Sequence, residues 1–218
     1  MRPPPLSELN FQITGARPER HAALPTLMFA LKIEETTGVV IHNIVLRCQI
    51  RIEPSRRKYS REEESRLTEL FGDTPRWGDT MKPFLWTHLS ATIPGFRGQT
   101  EVELPVACSY DFEIAAAKYL HSLESGDIAL LMMFSGSVFE KGATGMQVSQ
   151  VPWSKEASYR LPVRVWREMI DHYFPNSGWL RLNRETLSEL MKFKSSRALA
   201  TWDEVIETLL LGARERCS

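Results

Sequence analysis

The chain carries no excess of either charge: 27 Lys and Arg balance 27 Asp and Glu over 218 residues. Binders of nucleic acid or of anionic membranes normally show a basic excess, so neither partner is expected. Long apolar runs are missing too. The longest, Ile128 to Phe134, falls far short of the ~20 residues that span a bilayer. The opening Met1-Arg2-Pro3-Pro4-Pro5 lacks the apolar stretch of a secretory signal, so a cytoplasmic location is expected. Cysteine is scarce. Cys48, Cys108 and Cys217 are odd in number and widely spaced, which argues against a disulfide framework; free thiols are expected, with a Cys48–Cys108 disulfide across the sandwich the alternative.

Motifs of catalysis are absent as well. There is no CxxC, HxxxH, GxSxG, P-loop or GxGxxG. The five histidines, at 21, 42, 88, 121 and 172, have no second His or Cys at metal-ligand spacing. No metal and no cofactor are therefore expected.

What the chain has is alternation. Val102, Leu104, Val106, Cys108, Tyr110, Phe112 and Ile114 share one parity, with Glu101, Glu103, Ser109, Asp111 and Glu113 between them. A period of two predicts extended chain with one dry face. Leu9 to Ile13, Leu27 to Ile33, His42 to Ile52 and Phe84 to Ile93 read the same way, as do Met146 to Val151 and Ala157 to Leu161. Ile128 to Phe139 is apolar at nearly every position, the pattern of a strand covered on both faces. Gly15 to Pro25 reads as a solvated loop, and so does Thr74 to Lys82. Strands this long with polar outer faces predict an antiparallel β-sandwich of seven or eight strands, a mainly β (α+β) fold.

Helices enter by their caps. Ser60 and Glu63 form a capping box ahead of Leu67, Leu70 and Phe71, a short inserted helix near 61–71 closed by Gly72. Ala115 to Leu123 suits another short helix. At Pro162 the period changes: Val163, Trp166, Met169, Ile170 and Tyr173 mark one helix face. Asn183 caps a second helix, and Thr201 with Glu204 a third, with Trp202, Val205, Ile206, Leu209 and Leu210 facing inward. The expected organisation is a sandwich over 1–161 and a C-terminal helical subdomain over 162–218.

Three constellations bear on function. Cys108 near Asp111, Glu113 and His121 is a conceivable nucleophile, although its parity puts it in the core beside the equally inward Cys48. Arg51, Arg56, Arg57, Lys58 and Arg61 form a basic cluster that Glu62, Glu63 and Glu64 largely cancel. The third is aromatic, in a chain with six tryptophans. Trp77, Trp153 and Trp179 fall in loops, and Tyr173 and Phe174 precede the Pro175-Asn176-Ser177-Gly178 turn. These five are the candidate binding residues, because tryptophan and tyrosine are favoured at protein interfaces. No catalytic residue is assigned.

The segments LRCQIRIEP, FGDTPRWGDT, PFLWTH, QVPWSKEASYRLPV and YFPNSGWLRL resemble the signature blocks of an uncharacterised bacterial protein family of about this length. The resemblance runs from Leu9 to about Leu210. It implies no activity and transfers no catalytic residue. The family's genes are often found beside those of high-affinity NiFe hydrogenases, which implies an accessory or assembly role. The expected function is thus a non-catalytic accessory protein acting through a protein partner. A chaperone for an unfolded client, or an enzyme built on Cys108 or a His-carboxylate pair, are the alternatives.

Overall fold

The computed structural model describes residues 7–108, 114–142, 145–177 and 180–216. Among them the chain forms eight strands and six α-helices. Strands β1 (Leu9–Glu19), β2 (Thr26–Glu35) and β5 (Gln99–Ala107) make an antiparallel sheet in the order β1-β2-β5. Strands β3 (Val40–Ile52), β4 (Phe84–Arg97), β6 (Asp127–Gly142), β7 (Gly145–Gln150) and β8 (Glu156–Pro162) make the other, ordered β4-β3-β6-β7. In that sheet β6 pairs with β8 over Asp127–Met133 and with β7 over Ser137–Gly142. The expected sandwich is what the chain builds.

The alternating residues meet between the sheets. Leu27, Phe29, Leu31 and Ile33 of β2 are fully buried, as are Ile44, Leu46, Ile50 and Ile52 of β3. Phe11 of β1 stacks on Phe134 of β6 at 4.5 Å, and Phe29 meets Trp86 and Tyr159 edge-on. Each fully buried aliphatic side chain in this layer contributes about 1.5–3 kcal/mol.

Two strands run through prolines and past the bounds expected from the sequence. β1 continues through Gly15 and Pro18 after a register shift at Ile13/Gly15, so the expected 15–25 loop begins only after Glu19. β4 continues through Pro94 and Gly95. Both are edge strands, where a missing N–H need not interrupt a ladder on the outer side. The alternation seen over 100–114 becomes β5 only as far as Ala107; residues 109–113 lie outside the described residues.

Helices α1 (Arg61–Phe71), α2 (Trp77–Thr80) and α3 (Ala115–Ser122) pack on the core through Leu67, Phe71, Trp77, Ala116, Tyr119 and Leu120. The supposed loop at 74–82 therefore contains a helical turn. The Ser60/Glu63 capping box is present in both directions. Glu63 does more than cap: its carboxylate accepts from Arg57 at 2.8 Å, from the Ser60 amide and from the Glu124 amide. Burial alone would raise its pKa; these amides and the Arg57 guanidinium reverse that and hold it below the usual carboxylate range. Tyr119, fully buried, packs against Tyr59, Phe71 and Phe84.

Helix α4 (Val163–Tyr173) buries Val163, Val165, Trp166, Met169 and Ile170. It packs on β1, β2 and β8, and the chain divides into compact units after Trp179, not at Pro162 as the change of period suggests. The second unit, 180–218, is a helical pair: α5 (Arg184–Ser196), capped by Asn183, and α6 (Trp202–Arg216). Of the α6 residues expected to face inward, Val205 is buried, while Trp202, Ile206, Leu209 and Leu210 are exposed. Two helices offer too little surface to cover both stripes.

Candidate functional site

The unusual surface of the first unit begins at a glycine. Gly136 lies in β6 between the part that pairs β8 and the part that pairs β7. Its φ is +146°, and a Cβ there would stand 2.1 Å from the Val45 carbonyl oxygen. Only glycine fits so close to the neighbouring backbone. At this switch the β7–β8 connection is tied back to β6. Val151 N donates to Gly136 O at 2.9 Å, Phe134 N to Lys155 O at 2.9 Å, and Lys155 N closes the turn on Pro152 O at 3.0 Å. Val151 is buried beneath the turn, and Trp153 at its tip is 89% exposed.

Trp153 borders a groove of about 560 Å3 on the outer face of the five-stranded sheet. Cross-strand register builds the floor in rows. Ser90, Arg47 and Ser135 form one row across β4, β3 and β6; His88, Gln49 and Met133 form the next. Leu85, Arg51 and Leu131 continue the face one row on. Met133 and Leu131 are half-buried and Leu85 is exposed, so the outer side of β6 is only partly covered. The apolar run Ile128 to Phe139, read as a strand covered on both faces, has one face in the core; on the other, Ala129 is buried while Met133 and Ser135 line this groove. The Arg47 side chain is exposed and enters no hydrogen bond or ion pair among the described residues.

The other sequence-derived candidates have different environments. Trp77 is half-buried; its indole N–H donates to Gly72 O at 2.8 Å and its ring packs on Tyr59 and Phe71. The Tyr173 hydroxyl donates toward the carbonyls of Glu19 and Ala22, at 2.7 and 3.0 Å, fastening α4 to the β1–β2 turn. Phe174 packs, partly buried, against the core. None of these three lines the groove with Trp153. Trp179 lies outside the described residues. The sequence reading missed Arg47, His88 and Met133 as neighbours of Trp153, since only strand register brings them together. The one local signal was the apolar outer parity of Leu131 and Met133.

The catalytic alternatives find little support in the geometry. Cys108 and Cys48 are buried and free, and burial pushes both thiols up to about 12. Such thiols are protonated at neutral pH and make poor nucleophiles. Asp111 and Glu113 lie outside the described residues. His121 lines a separate cavity of about 320 Å3 with Arg66, Trp166, Arg167, Ile170 and Asp171. Burial first, then Arg167 and Arg66, lower its pKa. The Trp166 indole N–H, in a residue 2% exposed, has no hydrogen-bond partner among the described residues. In the basic cluster Arg57 is committed to Glu63 and Arg56 pairs with Glu53.

A family model covers residues 6–218. The chain belongs to DUF6084, a family of unknown function. None of the curated proteins matches this DUF6084 chain. Among solved structures it is similar to the CARDB domain of a Pyrococcus furiosus protein, crystallised with di-metal ions, at 6% identity and a TM-score of 0.28. That match covers 72% of this chain and 92% of the domain. A β-glucosidase from Kluyveromyces marxianus matches at 11% identity and a TM-score of 0.23, over 71% of this chain and 15% of the enzyme. β-Glucosidase 3B from Thermotoga neapolitana matches at 12% identity and a TM-score of 0.23, over 71% and 17%. Among the described residues, no helix is long and apolar enough to cross a membrane.

Proposed function

We propose that this DUF6084 protein is a non-catalytic accessory protein, and that the outer face of its five-stranded sheet binds another protein. The observation that carries the reading is Trp153: a large aromatic side chain, 89% exposed, on a turn hydrogen-bonded to the sheet at both ends. An exposed tryptophan on a rigid backbone is what an interface anchor requires, since little conformational entropy is lost when it is covered. The floor beside it supports a partner of particular chemistry. Met133 in the groove, with Leu131 and Leu85 one row on, favours apolar side chains, and Arg47, exposed and without an ion pair among the described residues, favours a carboxylate among them. The partner therefore presents a mixed apolar and acidic segment. The resemblance to a family encoded beside NiFe hydrogenases makes a hydrogenase component the first protein to try.

The test compares the tagged wild type with Trp153→Ala, each purified from its own host, with hydrogenase components quantified in both eluates. Loss of an interface tryptophan costs about 2 kcal/mol, roughly 30-fold in affinity. The expected result is a partner present with the wild type and depleted with the variant at an unchanged melting temperature. Equal recovery of the partner, or a large fall in melting temperature, overturns the reading.

A further inference from the structure

The helical unit carries more exposed apolar surface than a pair of helices can hide. In α6 the stripe Trp202, Val205, Ile206, Leu209 and Leu210 follows the spacing of one helix face, and α5 answers with Leu187, Leu190 and Met191. Val205 is the one side chain of 180–216 that is buried among the described residues, while Leu187, Met191, Ile206, Leu209 and Leu210 are exposed. The turn between the helices is nevertheless well made. Lys194 Nζ donates to the carbonyls of Leu199 and Ala200 at 2.7 and 2.6 Å, and Glu204 accepts from the Ala200 amide at 2.7 Å. A fixed hairpin with an open apolar face needs a cover, because helical stability in water comes chiefly from packing that face.

We infer that the cover is the same hairpin of a second copy, and that two chains associate through α5 and α6 as a four-helix bundle. Three features point to self-association. First, both helices carry exposed apolar side chains, Leu187 and Met191 on α5 and Ile206, Leu209 and Leu210 on α6, and a two-fold axis sets such a hairpin against its own image. Second, the size is right. Helices of 13 and 15 residues give an open face about 20 Å long and 20 Å wide, roughly 400 Å2 before its ridges are counted. Two such faces reach about 1,000 Å2, where specific interfaces begin. Third, the charges complement one another. Arg197, just after α5, and Asp203 and Glu207, in the first half of α6, enter no ion pair among the described residues. With the two turns at the same end of the bundle, each α5 lies beside the partner's α6, and these opposite charges adjoin. This surface is independent of the groove beside Trp153.

Sedimentation equilibrium of the full chain, from about 1 to 100 μM, tests the inference beside the variant Ile206→Glu/Leu210→Glu. Both substituted side chains are exposed in the single chain, so the monomer retains its fold, which far-UV circular dichroism checks. The wild type is expected to be a dimer and the variant a monomer, with a dissociation constant raised at least 100-fold. Arg197→Glu alone should weaken the dimer, and its salt dependence should fall with it. A wild type that stays monomeric at 100 μM overturns the proposal, as does a variant that dimerises equally well. A variant that loses its helices without changing mass contradicts it too, since the stripe would then serve the fold of one chain.

Discussion

Replacing Glu63 with Gln changes one heavy atom and should cost this protein a large part of its stability. The carboxylate and the Arg57 guanidinium are 3% and 7% exposed as side chains and meet at 2.8 Å. Glu63 also accepts from the Ser60 amide at 3.1 Å and the Glu124 amide at 2.8 Å, and Arg57 donates to Ser125 O at 3.1 Å. Gln keeps the shape but turns one acceptor into a donor that faces other donors, and leaves the Arg57 cation buried without a counter-charge. Breaking one side of such a pair costs about 3–5 kcal/mol, against about 5–15 kcal/mol for a whole domain. For a chain of this length the melting temperature should fall by roughly 6–20 °C. The pair itself need not be strongly stabilising. Arg57→Met/Glu63→Leu, which removes both charges, should therefore lose less than Glu63→Gln alone.

The pH dependence of the Glu63 contribution has a definite sign. Its folded pKa lies below the ordinary value of 4.5, so the unfolded chain takes up the proton first. The contribution is complete above about 4.5 and is lost as pH falls below it through the folded value. Thermal melts of wild type, single and double variants at pH 7 and across the acid range measure all of this. A Glu63→Gln protein melting within about 1 °C of wild type, or a double variant worse than the single, would refute the reasoning.

Gly136→Ala should destabilise by roughly 3 kcal/mol, from the positive φ and the 2.1 Å approach to Val45 O; a denaturant midpoint equal to wild type contradicts the packing described. Cys48 and Cys108, with thiols pushed up to about 12 by burial, should resist alkylation in the native protein and react on unfolding. Mass spectrometry finding Cys108 modified within minutes under native conditions would restore the nucleophile reading. His121, its pKa lowered first by burial and then by Arg167 and Arg66, resists charging in the folded chain. Its contribution is therefore complete above the ordinary 6.5 and lost as pH falls below it, so His121→Gln should flatten the stability profile on that side.

Local chemistry made much of the architecture legible. The parity of Leu27 to Ile33 and of Ile44 to Ile52 marks the core faces, because a strand turns alternate side chains to opposite sides. Ser60, Asn183 and Thr201 mark helix starts, because a cap satisfies amides within its own first turn. The chemistry of the site was less legible. Trp153 and Trp166 are the same residue type near the same junction, yet one is exposed and the other buried.

What the sequence determined by itself is what depends on neighbours a few residues away: strand faces, helix starts, and the scarcity of catalytic motifs. What only the tertiary structure decided is what depends on partners far along the chain. Pro18 and Pro94 sit within strands because those strands lie at sheet edges. Helix α4 joins the strands because its apolar face finds β1, β2 and β8. The apolar outer side of β6 and the stripe of α6 look, in sequence, like any buried surface. Their exposure follows from the absence of a covering element within their own unit among the described residues, because periodicity records which face is apolar and not what is packed against it.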